Sequence, residues 1–323
     1  MDNQIKSAPI LVPSPGKEAT VRVFPDEWKV PIKLTDFPSL KRDLELEYRI
    51  VRVLTEDERM QSRMYRACPE KNRYRDMVPF ADNRVKLADG SYINASYMCN
   101  FDRSNPKSFI ACQGPLQSTI TDQWNMLVNE QVRSVLTIGT LAEGTTEKIA
   151  QYWPENPGDS LSVENMSITC IEKNETYAGL IQRDLQVSLP NGTKETLVHY
   201  HFYAWPDHGS LPPEKMILLA RVVKTQRELS GSSPIVVHCS AGVGRTGSVL
   251  ALFSCVESVE SQLRTNGGQI SDCWLSVMTN VLNLRECRVH IVERTWQYES
   301  LYAAIAELVN RHTDKSCELV SLL

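Results

Sequence analysis

The stretch Pro234-Ile-Val-Val-His238-Cys239-Ser-Ala-Gly-Val-Gly-Arg245-Thr246-Gly247 decides the fold, because its character changes twice in a few residues. Ile235 to Val237 is a β-branched, apolar run of the kind that forms a buried strand. Ser240 to Gly244 is a loop of small residues, and the apolar residues from Val249 onward predict a helix. Two readings compete. Gly242-Val-Gly244-Arg-Thr-Gly247 is a literal G-x-G-x-x-G, which suggests a dinucleotide-binding turn. Alternatively, Cys239 and Arg245 bracket a loop that cradles an anion beside a nucleophilic sulfur. The dinucleotide reading needs a second parallel strand ending in an acidic residue roughly 20 positions on. Here the helix over 249–263 is followed by TNGGQISDCWLSVMTNVLNL, which reads as another helix, and Glu257 and Glu260 fall inside the first one. That reading also leaves Cys239 and Arg245 idle.

The anion reading uses every residue. The backbone N–H groups of Ser240, Ala241, Gly242, Val243 and Gly244 can turn inward together, with the glycines freeing the chain to do so. The helix that starts near Arg245 adds the positive end of its dipole at the same point. Both effects favour a thiolate at Cys239. Arg245 offers a planar fork to two oxyanion oxygens, and Thr246 can hydrogen-bond the sulfur.

Composition bounds the partners. The 323 residues include 35 basic and 39 acidic side chains, a net charge of -4. A general nucleic-acid binder would carry a basic excess, so any anion site is local and no nucleic-acid partner is expected. Nine cysteines lie scattered without a C-x-x-C pair, which suggests neither a zinc site nor a disulfide framework. No metal ligand set is assigned. No segment is long and apolar enough for a signal peptide or a membrane span, and a monomeric, cytoplasmic protein is the expectation. Along the chain, residues 1–35 are proline-rich and read as an extended lead-in, 36–311 as the folded domain and 312–323 as a short tail. Residues 39–66 read as mostly helical. The middle holds β-rich runs (SYINASYM, SFIACQG, SVLTIGT, LVHYHFYAW) and one helix near 121–132. From Pro213 the order is helix, strand, then three helices. This irregular mixture favours α+β, or irregular α/β, over a doubly wound sheet.

His238-Cys239-Ser-Ala-Gly-Val-Gly-Arg245-Thr246-Gly247 resembles the signature loop of the protein tyrosine phosphatases, and the resemblance extends over about residues 40–310. It runs through KNRYRD at Lys71 to Asp76, SYINASY with Asn94, QGPL at Gln113 to Leu116 and AQYWP at Ala150 to Pro154. Trp205-Pro-Asp207-His-Gly209 and Gln297-Tyr298 complete it. The pattern is most similar to the non-receptor, phosphotyrosine-specific branch. The resemblance implies a single α+β domain whose central, highly twisted mixed sheet is flanked by helices. It implies Cys239 as nucleophile, Arg245 as phosphoryl clamp, Asp207 as general acid, and Gln297 as the residue that positions water. It implies that Tyr74 stacks on the substrate ring and sets pocket depth, that Asp76 anchors substrate backbone, and that His238 supports the loop. It further implies that Glu143 pairs with the signature arginine, that Lys148 approaches the acid loop, and that Arg288 lines a secondary substrate region. Phosphotyrosyl proteins would be the substrates, with no cofactor.

Two positions depart from the family pattern. Glu293 stands where a glutamine is common, and His290 where a small residue is frequent. The alternatives are a dual-specificity or phosphoinositide phosphatase, and a binding module that has lost catalysis. The first would usually be shorter and lack the Tyr74 segment, and inositide-directed members often carry lysine inside the loop. The second would normally have lost Cys239, Arg245 or Asp207, and all three are present.

Overall fold

A computed structural model of the chain describes residues 10–14, 17–22, 30–206 and 209–315. Much of the proline-rich lead-in and of the C-terminal tail lies outside these, and so does Asp207. Strands β1 (Ile10–Ser14) and β2 (Lys17–Arg22) pair antiparallel. Strand β3 (Ile32–Lys33) follows, and Leu34 and Phe37 just after it are buried in the main core. Helices α1 (Leu44–Thr55) and α2 (Glu58–Arg63) come next, each opened by an aspartate, Asp43 or Asp57, whose carboxylate accepts from an N–H of the first turn. Then come β4 (Arg84–Lys86), β5 (Tyr92–Met98), β6 (Phe109–Cys112), α3 (Ile120–Asn129), β7 (Ser134–Ile138), and the small pair β8 (Ala142–Glu143) and β9 (Thr146–Glu147). A meander follows: β10 (Ser160–Val163), β11 (Met166–Tyr177), β12 (Leu180–Ser188) and β13 (Lys194–Phe202). The chain ends with α4 (Pro213–Leu229), β14 (Ile235–His238), α5 (Gly244–Thr265), β15 (Trp274–Leu275), α6 (Val277–Arg285) and α7 (Thr295–Lys315).

Nine strands form one mixed, twisted sheet in the order β10-β11-β12-β13-β7-β14-β6-β5-β4. Its centre, β13-β7-β14-β6, is parallel, and the flanks are antiparallel. The fold is α+β around one large central sheet, as the resemblance implied. Strand alternation sorts the apolar residues into two cores. Phe109, Ala111, Leu136, Ile138, Ile235 and Val237 face α4 to α7, whereas Ile110, Cys112, Val135 and Val236 face α3 and the β10–β12 meander. A strand covered on both sides has to be apolar at every position, which is why Ile-Val-Val is continuous. Ligand sites of open parallel sheets lie beyond the carboxyl ends of the strands, and the Cys239 loop is there. Helix α1 is fastened to α7 by Glu47, which is fully buried and accepts from Tyr298 Oη at 2.6 Å and Tyr302 Oη at 2.7 Å.

Residues 39–66 are mostly helical as expected, in two short helices with a break at Glu56–Asp57. One expectation needs correction. The stretch 265–284 is not one helix: Gly267 and Gly268 have φ +70° and +83°, the chain then pairs as β15 with β3, and α6 begins only at Val277. Glycines in the left-handed region end helices because they pay no Cβ penalty there.

Helix α5 carries one group that works against the fold at neutral pH. Burial raises the Glu257 carboxyl from its ordinary 4.5 to about 7, against a backbone hydrogen bond from Phe101 and the charge of Arg227, with Glu260 and Asp102 adding to the rise. Its Oε2 is buried with no hydrogen-bond partner among the described residues. The folded chain therefore keeps a proton that the unfolded chain releases, and stability falls as pH rises from 4.5 to about 7. Glu257→Gln should change stability little at pH 5 and raise it at pH 8, the difference being on the order of 2–3 kcal/mol. Urea unfolding at the two pH values tests this, and an equal effect at both would contradict it.

Candidate active site

Strand β14 delivers His238 and Cys239 to the sheet edge, and α5 starts at Gly244. Between them the carbonyls of the loop are all held from outside. Cys239 O accepts from His238 Nδ1 at 3.1 Å, and Ser240 O from Gly114 N at 2.8 Å. Ala241 O and Gly242 O accept from the Arg288 guanidinium at 3.1 and 2.9 Å. Val243 O accepts from Val292 N at 3.1 Å and Gly247 N at 3.0 Å. In a planar trans peptide the C=O and the next N–H point in opposite directions. Tying the first four carbonyls outward therefore turns the N–H groups of Ser240, Ala241, Gly242 and Val243 to the concave side, where they find no acceptor among the described residues. Helix α5 adds its own uncapped first turn, because its N-cap is Val243 and no side chain caps it.

The QGPL and AQYWP segments now have physical roles. A Cβ on Gly114 would sit 2.7 Å from Cys239 O, so only glycine lets this strand end touch the loop. Tyr152 Oη lies 2.7 Å from His238 Nε2, and Thr137 Oγ1 lies 2.8 Å from the same atom. Burial pushes the His238 imidazole down to about 4, so the ring is neutral at physiological pH. Its single proton belongs on Nδ1, since the Cys239 carbonyl can only accept, and Nε2 takes a hydroxyl proton.

Arg288 is fully buried beneath the loop. Its remaining hydrogen bonds go to Ser96 Oγ at 3.1 Å and Asn94 Oδ1 at 2.7 Å on β5. Burial works against its charge, and no carboxylate pairs with it among the described residues. It is thus a supporting residue behind the loop, not part of an exposed secondary substrate region. Next to it, His290 and Val292 have φ of 59° and 58°. A β-branched residue in that region is strained, and here the strain places Val292 N on Val243 O while Val292 O accepts from Tyr48 Oη at 2.8 Å.

A cleft of about 660 Å³ opens in front of the loop, lined by Tyr74, Glu143, Lys148, Cys239, Ser240, Ala241, Gly244, Arg245 and Gln297 among others. Tyr74 Oη lies 3.0 Å from Ser240 Oγ, which itself donates to Lys148 O at 3.0 Å, so Tyr74 is the donor of the pair. Glu143 bridges Arg245 Nη2 at 3.0 Å and Lys148 Nζ at 3.1 Å. Burial alone would raise the Glu143 carboxyl, but hydrogen bonds from Lys148 and Arg245 outweigh it and hold the group below its ordinary value. Gly139, at φ +118°, leaves room for Arg245: a Cβ there would lie 2.5 Å from Nη1. Gln297 Oε1 accepts from the N–H groups of Glu293 and Arg294 at 2.9 and 3.1 Å, which leaves Nε2 facing Gly244.

Other expected site residues are placed differently. Thr246 is fully buried and its hydroxyl has no partner among the described residues, Cys239 Sγ included, so the expected bond to the sulfur is not formed. Asp76 is exposed and does not line the cleft. Asp207 and His208 lie outside the described residues, although Pro206 O accepts from Arg245 Nη2 at 3.4 Å. His290 is half-buried, 3.4 Å from Glu56, and does not line the cleft. Sequence reasoning missed Met77 and Trp296 as lining residues. The available signals were proximity to Asp76 and, for Trp296, a place in the first turn of α7 beside Gln297. Glu293 also lines the cleft, its carboxylate 3.1 Å from Arg294 Nη2.

A family model described as Protein-tyrosine phosphatase matches residues 68–307. The chain belongs to the protein-tyrosine phosphatase family. It is 32% identical to human receptor-type tyrosine-protein phosphatase alpha over 84% of this chain and 33% of that protein. It is 32% identical to human tyrosine-protein phosphatase non-receptor type 20 over 75% of this chain and 55% of that one. The chain thus spans between a third and just over half of the length of these two relatives. Among solved structures it is similar to the catalytic domain of human protein tyrosine phosphatase non-receptor type 18, with a TM-score of 0.74 and 26% identity over 85% of this chain and 99% of that one.

In this member of the family, Gly242 has the closest contact to an added Cβ among the described glycines. Its φ is +69°, and a Cβ would collide with the Cys112 carbonyl. Gly90 has a similar φ of +79° with open space around it. Gly90→Ala should cost only the backbone term, about 1–2 kcal/mol, and Gly242→Ala distinctly more, lowering Tm by roughly 5–10 °C. Equal melting losses in the two variants would contradict the close approach at Cys112.

Proposed function

We propose that the chain is a cysteine-dependent protein tyrosine phosphatase, hydrolysing phosphotyrosine in proteins through a cysteinyl-phosphate intermediate. The observation that carries the reading is the set of inward N–H groups from Ser240 to Val243, closed by Arg245, around the buried Cys239. An array of fixed donors suits a phosphoryl group, whose charge in the transition state spreads over three equatorial oxygens.

In the first step the Cys239 sulfur attacks phosphorus in line and the bond to the tyrosyl oxygen breaks. Asp207 gives that oxygen a proton, and Arg245 and the loop N–H groups hold the phosphoryl oxygens. In the second step water attacks the thiophosphate, Asp207 as carboxylate accepts the proton, and the thiolate leaves. Gln297 orients that water through Nε2, because its Oε1 is already taken by two backbone donors. Glu143 keeps Arg245 extended toward the cleft. The chemistry asks for no metal or organic cofactor.

Depth supports the substrate class. Cys239 is only 4% exposed, and Tyr74 is fixed at the cleft wall by Ser240. An aryl phosphate reaches such a sulfur, whereas the shorter seryl and threonyl esters do not. A related solved structure, 26% identical, is a phosphatase in complex with HER2 phosphopeptides. Likeness to non-receptor members supports a cytoplasmic place of action.

Kinetics on phosphotyrosyl and phosphoseryl peptides test the reading. Turnover of the former should exceed that of the latter by orders of magnitude, and Cys239→Ser should abolish it. Asp207→Ala should lower kcat by roughly 10²–10⁴, the usual contribution of a general acid, without raising KM. Comparable rates on the two peptides, or an active Cys239→Ser variant, would overturn the proposal.

A further inference from the structure

Away from the cleft, two thiols that are far apart in sequence meet. Cys99 directly follows β5, Cys287 follows α6, and their sulfurs lie 3.4 Å apart although the residues are 188 positions apart. Both are free and almost buried, at 5% and 8% exposure. The backbones around them are already joined by one side chain: Asn83 Nδ2 donates to Tyr97 O at 2.6 Å and to Cys287 O at 2.8 Å. Neither residue lines the cleft, and nothing in the proposed mechanism uses them.

We propose that Cys99 and Cys287 are a modification site, a dithiol that a peroxide closes to a disulfide. The reactive member is Cys287. A hydrogen bond from Cys99 at 3.4 Å, aided by Arg103 and Arg63, holds the Cys287 thiol below its ordinary value. Its thiolate attacks one oxygen of hydrogen peroxide, the O–O bond breaks, and a sulfenic acid forms with release of water after protonation. The Cys99 sulfur then attacks the sulfenic sulfur. The S–S bond forms, the S–O bond breaks, and the hydroxide leaves as water with the Cys99 proton. Two thiols and one peroxide yield one disulfide and two waters.

The covalent geometry is within reach, since an S–S bond of about 2.05 Å asks the sulfurs to approach by about 1.4 Å. The position gives the bond a purpose. Cys287 precedes Arg288, which grips the loop carbonyls, and β5 carries Asn94 and Ser96, which grip Arg288. A bond from Cys99 to Cys287 fastens the arginine-bearing turn to the strand that already holds it. Oxidation therefore clasps the support of the loop in its existing place and stabilises the fold. This inference stands on the thiol geometry and does not depend on the phosphatase reading.

The full chain carrying Cys239→Ser removes the loop thiol from competition. After treatment with hydrogen peroxide, it is alkylated, digested without reductant and mapped by mass spectrometry, with Tm measured in parallel. The main cross-link should join the peptides of Cys99 and Cys287, with Tm raised by roughly 5 °C or more, and dithiothreitol should reverse both. Cys99→Ser and Cys99→Ala should each remove the cross-link and the shift. Recovery of Cys99 and Cys287 as separate alkylated or over-oxidised peptides, cross-links to other cysteines instead, or a linked chain with unchanged Tm would overturn the proposal.

Discussion

The loop around Cys239 is held by its carbonyl oxygens, and the buried Arg288 takes two of them while no carboxylate among the described residues offsets its charge. A guanidinium in that position is costly unless its donors are satisfied and negative charge arrives nearby. Its donors end on Gly242 O, Ala241 O, Ser96 and Asn94. In the proposed reaction that negative charge is the phosphoryl group on the other side of the loop. One residue thus sets the orientation of the backbone and contributes to the potential that the backbone presents. His238, Gly114 and Val292 complete the same arrangement for the remaining carbonyls.

The sheet explains why those distant residues converge. The parallel strands β6, β7, β13 and β14 end at one edge, so Gly114, Gly139, the residues after Phe202 and Cys239 arrive together. On the face toward α3 and the meander, the polar residues Thr137, His199 and His238 follow Val135, Leu197 and Val236 and form a hydrogen-bonded group with Tyr152. His199 Nδ1 alone of this group's polar atoms is buried without a partner among the described residues, and the group holds the loop from below. From above, Glu143 fixes Arg245, and Ser240 fixes Tyr74.

Local signals carried much of this into the sequence. The apolar run before Cys239, the small residues after it and the apolar start of α5 are contiguous, so strand, loop and helix were legible together. The signature loop, Tyr74, Glu143, Lys148 and Gln297 were assembled by resemblance, and the structure brings them to one cleft. What sequence hid depends on distance or on backbone dihedrals. The true location of Arg288 depends on carbonyls 46 and 47 positions away and on β5 side chains more than 190 away. The false helix across 265–276 arose because apolar spacing outweighed two adjacent glycines, whose positive φ ends α5. The anion-loop reading puts the Thr246 hydroxyl on the sulfur, but Thr246 lies within α5 and its buried hydroxyl has no partner among the described residues.

The central claim is that the loop amides form a ready anion cradle before any ligand arrives. Backbone ¹H–¹⁵N spectra of the Cys239→Ser chain, titrated with tungstate, test it most directly. The amide resonances of Ser240 to Gly244 should shift together at a single saturating affinity, while those of β5 and the α6–α7 turn stay nearly still, as expected of donors already in place. Shifts that avoid these amides, or that appear only with broad rearrangement of the Arg288 turn, would contradict a preformed cradle.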